Sequence, residues 1–431
     1  MLEPLRALVS QRAVMCTRVL CALLTLASAT AYGQGAGLTL DAALYQATNR
    51  SAAIQASQAS VLASTHAAVR ADQLPDPVLK AGIDNLPIDG PQRYSINQDF
   101  MTMRRIGIEQ EWVSSDKRER RVSLANRVVD KERAATLVQL ANTREQTALA
   151  WLNAAYAQRA LELSEALVKH MTHELAATSA SYRGAKPSGN DVSQAQIMSS
   201  QAQDQLLKAQ QTSRSALIVF SRWVAAPVPA VAGDVPPLKS DVATLTQQEL
   251  NQVQPKLLAA ERDISIADAD TSVASSNRTP NWTWGVTYQQ RGSQYSNMVS
   301  VGVSIPLPIS RANRQDRDVA EKAALGNKAR LMLRETQRQV QANIQNLSTS
   351  LANGRERIAS LKKMLLPAAG QQVRLATGAY KAGTGSLASV FNAKRTQLDA
   401  QLQIVDLERD VAQIWAQLEY QVLPQNSPLG Q

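Results

Sequence analysis

Trp282-Thr283-Trp284-Gly285-Val286-Thr287-Tyr288-Gln289 is the stretch that decides the fold. Side chains alternate along a strand, so Trp282, Trp284, Val286 and Tyr288 fall on one face and Thr283, Gly285, Thr287 and Gln289 on the other. After a short gap, Val299-Ser300-Val301-Gly302-Val303-Ser304-Ile305 repeats the pattern, with Val299, Val301 and Val303 on one side and only Ser and Gly on the other. Apolar outside, small or polar inside, with aromatics at the ends, is the alternation of a strand in a membrane β-barrel. Almost everything else in the chain reads as helix.

Working outward, the same order of elements occurs twice: helix, strand, strand, long helix, turn, helix. In the first half a helix over 41–71 is stopped by Pro75 and Pro77, because proline disfavours helix before it and donates no backbone bond. Strands follow at 78–83 and 105–113; in the second, Ile106, Ile108 and Trp112 alternate with Arg105, Gly107, Glu109 and Glu111. A charged helix then runs over 114–182, on the order of 100 Å at 1.5 Å per residue. In the second half the helix spans 247–275, the two strands are those quoted above, and a charged helix runs over 313–380. Gly107 corresponds to Gly302, and Tyr182-Arg183-Gly184 to Tyr380-Lys381-Ala382-Gly383, at offsets of 195 to 199 residues, consistent with an internal duplication. The expected organisation is a leader over 1–33, a first repeat over 34–223, a proline-rich linker over 224–245, a second repeat over 246–422 and a tail over 423–431. Leu149, Leu152, Tyr156, Ala160, Leu163 and Leu167 step by three or four, as do Leu347, Leu351, Gly354, Ile358, Leu361 and Leu365, and Ile404, Leu407, Val411, Ile414 and Leu418. Such stripes bury against neighbouring helices.

The chain has 431 residues, 4% of them aromatic, and a formal charge of +10. Both cysteines, Cys16 and Cys21, lie in the first 33 residues, where Arg6, Arg12 and Arg18 precede an apolar run and small residues. This reads as an export signal cleaved after Ala31 or after Gly33. Three arginines against Glu3 leave with it, so the remainder carries about +8. That remainder has no thiol for a disulfide, a thiolate metal site or a lipid anchor. No later run is long and apolar enough for a membrane-spanning helix. Export without such a helix leaves a soluble protein or an outer-membrane barrel. Acidic residues are interleaved with the basic ones and no nucleic-acid motif is present, so the charge does not point to nucleic acid. No nucleotide-binding, zincin or serine-elbow motif occurs, and no enzymatic activity is expected.

Four strands cannot close a barrel with a usable bore, and an open sheet in lipid leaves edge groups unpaired. The chain must therefore assemble; three copies would supply twelve strands around a wet lumen.

On these residues the chain resembles the TolC-type outer-membrane efflux factors over nearly all of its length. The most specific motif is the tip between helices, Tyr182-Arg183-Gly184-Ala185-Lys186-Pro187-Ser188-Gly189-Asn190-Asp191-Val192, with its counterpart Tyr380-Lys381-Ala382-Gly383-Thr384-Gly385-Ser386-Leu387-Ala388-Ser389-Val390. The resemblance implies a mainly α fold with a small β part: a homotrimer whose twelve-helix periplasmic tunnel continues into a twelve-stranded barrel in the outer membrane. It implies that the tips (Tyr182, Arg183, Gly184, Tyr380, Lys381 and Gly383) dock a periplasmic adaptor and that an inner-membrane pump of the resistance-nodulation-division type supplies the energy. It places Ile106, Ile108, Trp112, Trp282, Trp284, Val286, Tyr288, Val299, Val301 and Val303 against outer-membrane lipid. The segments Gln73-Leu74-Pro75-Asp76-Pro77, Asp84-Asn85-Leu86-Pro87 and Phe100-Met101-Thr102-Met103-Arg104-Arg105 resemble the branch serving cobalt–zinc–cadmium or copper–silver efflux. Some members carry a lipidated cysteine after the leader, and this chain has none. Some also carry acidic gate residues where this chain has Ser389 and Asn392, so that Asp191 is the acid remaining near the gate.

Other side chains admit sharper readings and plainer ones. His170 and His173 with Glu174 have a spacing that can hold a metal, but two histidines do not close a site, and a solvent-facing patch is the preferred reading. His66 stands alone. Met101, Met103 and Met298 suit Cu(I) as thioethers, yet adaptable packing at a rim explains them too. Gly184 and Gly383 serve a tight turn or a docking surface equally well, while Arg183 and Lys381 would project toward a partner. A drug or polypeptide conduit on the same scaffold, and a soluble periplasmic coiled-coil scaffold, are the competing readings.

Overall fold

The computed structural model describes residues 37–182 and 189–423. In chain order the elements are α1 Leu40–Arg50, α2 Ala52–Ala71, β1 Val78–Asp84, β2 Met103–Trp112, α3 Ser115–Tyr182, α4 Gly189–Val224, α5 Gln247–Val253, α6 Pro255–Ser276, β3 Trp282–Gln290, β4 Met298–Ser304, α7 Gln315–Ser360, α8 Leu366–Lys381 and α9 Leu387–Glu419. The leader lies outside the described residues, as does most of the expected tail.

Three expected helices are each divided, for local reasons. The helix over 41–71 breaks at Ser51, whose backbone is extended (ψ 113°) and whose hydroxyl accepts from the Ile54 N–H at 3.3 Å. A serine that caps a new helix gives the backbone an alternative to continuing the old one. The helix over 247–275 breaks at Gln254, which precedes Pro255 and is also extended (ψ 110°). Proline forces its predecessor out of helical geometry and then opens the next helix at its first position. The helix over 313–380 passes through a π turn at Leu361–Leu365. Pro367 follows within the first turn of α8; it has no N–H to give back to the preceding turn, and the wider turn absorbs the gap.

The α3 helix is the strut of the molecule, 68 residues long, or roughly 100 Å at 1.5 Å per residue. It packs in turn on α2, α6, α4 and α9. None of the described helices is long and apolar enough to cross a membrane. The main core lies at its middle, where Trp151, Leu152, Phe220, Val224, Leu257, Val411 and Leu418 are fully buried. Both core tryptophans tie their polar edge to the chain around them: Trp151 Nε1 donates to the Leu38 carbonyl and Trp415 Nε1 to that of Lys239, each at 2.8 Å. Buried indoles need such a partner. The proline-rich linker is thus an ordered belt around the bundle, and Leu38 bridges in parallel to Val231 within it.

In the heptad stripes, Leu347, Leu351 and Gly354 of α7 are buried, while Leu361 and Leu365 fall in the π turn and are half-buried. Gly354 is there because α9 crosses on top of it: a Cβ at this position would lie 2.4 Å from Val411 Cγ2. Gly354→Leu is expected to cost about 1–3 kcal/mol through overpacking, seen as a lowered melting temperature with unchanged helix content.

The four strands form one antiparallel sheet in the order β1-β2-β3-β4. The β2–β3 pairing joins the two halves of the chain, with Ile106 opposite Tyr288, Ile108 opposite Val286 and Trp112 opposite Trp282. The two outer strands, β1 and β4, each leave one edge without a partner among the described residues.

Candidate functional site

Two regions carry the functional expectations: the sheet at one end of the molecule and the helix tips at the other. In the sheet, the register puts Ile106, Ile108, Trp112, Trp282, Trp284, Val286, Tyr288, Val299, Val301 and Val303 on one common face. All ten are exposed, Val301 at 75%. Ten large apolar side chains turned outward on one sheet face form a patch far beyond what a water-soluble surface normally carries. Trp112 and Trp282 pack at 6.4 Å between ring centroids at the end nearest the helices.

The opposite face is polar and internally paired. Lys80 Nζ lies 2.6 Å from Glu109 Oε1, and Arg105 Nη1 lies 3.4 Å from Asp84 Oδ2. Glu111 Oε1 accepts from Asn281 Nδ2, whose Oδ1 accepts from Lys117 Nζ, both at 2.7 Å. Burial, and then the charge of Arg121, lower the pKa of the Lys117 ammonium. Glycines alternate with the charges for a steric reason. A Cβ on Gly107 would meet Thr287 Oγ1 at 2.5 Å, and one on Gly285 would meet Glu109 Cγ at 2.8 Å. Each carboxylate on this face, Asp84, Glu109 and Glu111, therefore has a donor or a cation beside it.

At the opposite end of the sheet, loops 85–102 and 291–297 lock together. Asp99 Oδ1 accepts from the Met101 and Thr102 amides, Thr102 Oγ1 donates to the Asn85 carbonyl at 3.0 Å, and Arg291 donates to the Phe100 carbonyl. Met101 and Met298 are exposed here and Met103 is half-buried opposite Asp84.

At the other end, the α8–α9 turn is fully described. Gly383 has φ +75°, and its N–H donates to the Tyr380 carbonyl at 3.1 Å. The amides of Thr384 and Gly385 both donate to the Ala379 carbonyl at 3.0 Å. A left-handed residue that returns the chain onto the last carbonyls is the usual way for a helix to end at glycine. Gly385 is needed for a different reason: a Cβ there would sit 2.9 Å from Ala379 Cβ. Tyr380 and Lys381 are exposed on the last turn of α8. Ser389 and Asn392 are exposed on the first turns of α9. The Ser389 hydroxyl is engaged with the Ser386 carbonyl at 2.6 Å and its amide with Ser386 Oγ at 3.2 Å, so it helps to cap the helix. Asp191 lies in the first turn of α4, where an anion suits the helix dipole. In the first tip, Arg183 and Gly184 lie outside the described residues, and Tyr182 is the last residue of α3.

Above the tips, an apolar cluster of Met171, Ala195, Met198, Ala202, Leu387 and Phe391 holds α3, α4 and α9 together. Two polar links cross the same level, Lys394 Nζ to Glu174 and Arg395 Nη1 to Gln201 Oε1 at 3.2 Å. No local sequence signal marks these links, because Glu174 and Lys394 are 220 residues apart. His170 and His173 are exposed, and Glu174 is taken by Lys394 rather than by a histidine. His66 is exposed as well. Among the described residues no group of three or more His, Cys, Asp or Glu is placed to hold a metal ion. Higher up, Glu408 of α9 accepts from Lys362 of the π turn at 2.5 Å and lies 3.9 Å from Arg159 of α3. Burial, with Glu408 nearby, pushes the Tyr156 phenol up to about 12.

The chain is a long helical stave that carries a four-stranded antiparallel sheet at one end. Residues 246–421 match the family described as Outer membrane efflux protein. The chain shares its fold with a membrane protein from Pseudomonas aeruginosa (15% identity, 88% of this chain and 90% of that one, TM-score 0.74). It is equally similar to CusC, described for its transmembrane channel formation (14% identity, 90% and 94%, TM-score 0.74), and to the Campylobacter jejuni CmeC outer membrane channel (11% identity, 91% and 90%, TM-score 0.74). No curated protein matches the chain.

Proposed function

We propose that this chain is the outer-membrane duct of a tripartite efflux system, a passive conduit that opens to the exterior through a barrel shared by three copies. The observation that carries this reading is the sheet: greasy and exposed on one face, polar on the other, and without a partner at either edge among the described residues. In hydrocarbon each unpaired edge group costs several kcal/mol, and in water the apolar face has no cover. Closure with two sister copies in a bilayer removes both problems, and gives twelve strands and a continuing twelve-helix tunnel. The exported chain, freed of its leader, would stand in the outer membrane with its helices in the periplasm. Its two repeats, 34–223 and 246–422, would each supply one hairpin and one helical pair around the linker 224–245.

The duct has no chemistry of its own, so an inner-membrane pump, of the resistance-nodulation-division type, and a periplasmic adaptor deliver the cargo. Tyr182, Arg183, Gly184, Tyr380, Lys381 and Gly383 form the adaptor-facing tip, with Asp191, Ser389 and Asn392 at the gate. Heavy-metal cations are the proposed cargo, on the strength of the sequence resemblance in the outer loops. One observation favours a second cargo class, drugs or a polypeptide. The bore-side carboxylates Asp84, Glu109 and Glu111 are each neutralised or hydrogen-bonded, which leaves the wall little preference for cations.

The deciding experiment is the susceptibility of a deletion strain, complemented with the intact gene, to metals and to drugs. Lowered tolerance of divalent or monovalent heavy metals is expected. Unchanged metal tolerance with lost drug tolerance would defeat the metal assignment, and recovery of the protein in the soluble fraction would defeat the channel.

A further inference from the structure

The exposed apolar stripe of β4 does not stop where the strand does. Val299, Val301 and Val303 are followed, at the same alternation in sequence, by Ile305, Leu307 and Ile309. Leu307 is 77% exposed and Ile309 95%, the highest value for a large apolar side chain among the described residues. Pro306 and Pro308 stand between them and bar the segment from extending the ladder. A tight turn, with the Ile309 amide on the Leu307 carbonyl at 2.9 Å, leads into a short 3₁₀ turn, Arg311–Asn313, and then into α7. Three arginines sit here. Arg311 shares Asp316 with Arg278, at 3.6 and 2.7 Å. Arg314 and Arg317 are exposed, and their guanidinium groups have no partner among the described residues. The segment leaves the sheet at the end that bears the Trp112–Trp282 pair, since Ser304 lies opposite Thr283. Tryptophan pairs of this kind settle at the level of lipid headgroups.

We propose that residues 305–317 form a binding site for the headgroups of anionic glycerophospholipids in the leaflet nearest the helices. Ile305, Leu307 and Ile309 enter the acyl layer beside the sheet, and Arg314 and Arg317 meet the phosphates above them. The partner is lipid rather than another copy for two reasons. The apolar wedge is continuous with the stripe of β4 that the membrane reading turns to hydrocarbon, and the exposed Arg314 and Arg317 that follow it carry the sign of charge that anionic headgroups meet. This inference rests on the membrane reading of the sheet.

The chain has no cysteine beyond Cys21, so single labels can be introduced cleanly. Ile309→Cys and Val301→Cys, each carrying an environment-sensitive fluorophore, would be reconstituted as exported protein, freed of Cys16 and Cys21, in phosphatidylglycerol vesicles with bromine on the acyl chains. Quenching of both labels is expected. In parallel, the double variant Arg314→Gln, Arg317→Gln is expected to lower several-fold the ratio of phosphatidylglycerol to phosphatidylcholine retained on purification, with unchanged circular dichroism. A quenched Val301 label beside a water-exposed Ile309 label would overturn the proposal alone. So would an Ile309 label that is shielded but unquenched, which would seat a second copy there, and so would an unchanged retention ratio. If neither label is quenched, the membrane reading falls as well.

Discussion

Replacing Gly383 by proline is expected to abolish export while the sheet still assembles in the outer membrane. The residue sits at φ +75° and donates its amide to Tyr380. Proline is fixed near φ −65° and has no N–H, so both the turn and the hydrogen bond are lost, at more than about 1 kcal/mol. The damage is local, because open space surrounds Gly383 and the apolar cluster that holds the tip helices lies farther up. Tolerance should fall to that of the deletion strain, with trimer yield kept. Gly383→Asn separates geometry from mere size, since asparagine tolerates the left-handed region; near-normal export is expected from it. Normal export by the proline variant would show that this turn is not part of the working tip.

The second large effect is expected from Val286→Arg. Val286 lies mid-strand, with Ile108 on one side and Val301 on the other, at the centre of the exposed apolar face. An arginine at the midplane of a bilayer costs about 2–4 kcal/mol in a barrel, and the cost recurs in each copy. Loss of outer-membrane trimer and degradation of the chain should follow, read by fractionation and by the heat-sensitive oligomer band. Ser300→Arg, on the polar face between Thr287 and solvent, serves as the matched control and should assemble. Equal assembly of the two variants would remove the membrane from the account.

The strands were legible because their signal is local and strict: one slip of register moves every side chain to the wrong face. Trp282 through Gln290 and Met298 through Ser304 fall within one residue of the reading. The pairing of β2 with β3 was not legible, because alternation names a strand's faces but not its neighbour. Three of the expected helices are too long, while the one over 114–182 is matched by Ser115–Tyr182. Ser51 and Pro255 were visible breakers, yet apolar periodicity on both sides masked them, and the π turn at Leu361–Leu365 has no pattern of its own. At the tips, Gly383 could be found from its setting after a helix. Gly385, Glu174 with Lys394, and Arg395 with Gln201 could not, because close approach and pairing across 194 to 220 residues are products of packing.

If the sheet closes with sister copies as proposed, its two margins, unpaired among the described residues, set the kinetic order of biogenesis. A lone subunit has no stable place in hydrocarbon, so insertion and association must occur as one step, or under a chaperone that covers both margins until sister subunits arrive. The number of finished pores should then depend steeply, rather than proportionally, on subunit supply. A modest shortfall in secretion would empty the membrane of conduits long before it emptied the periplasm of chains.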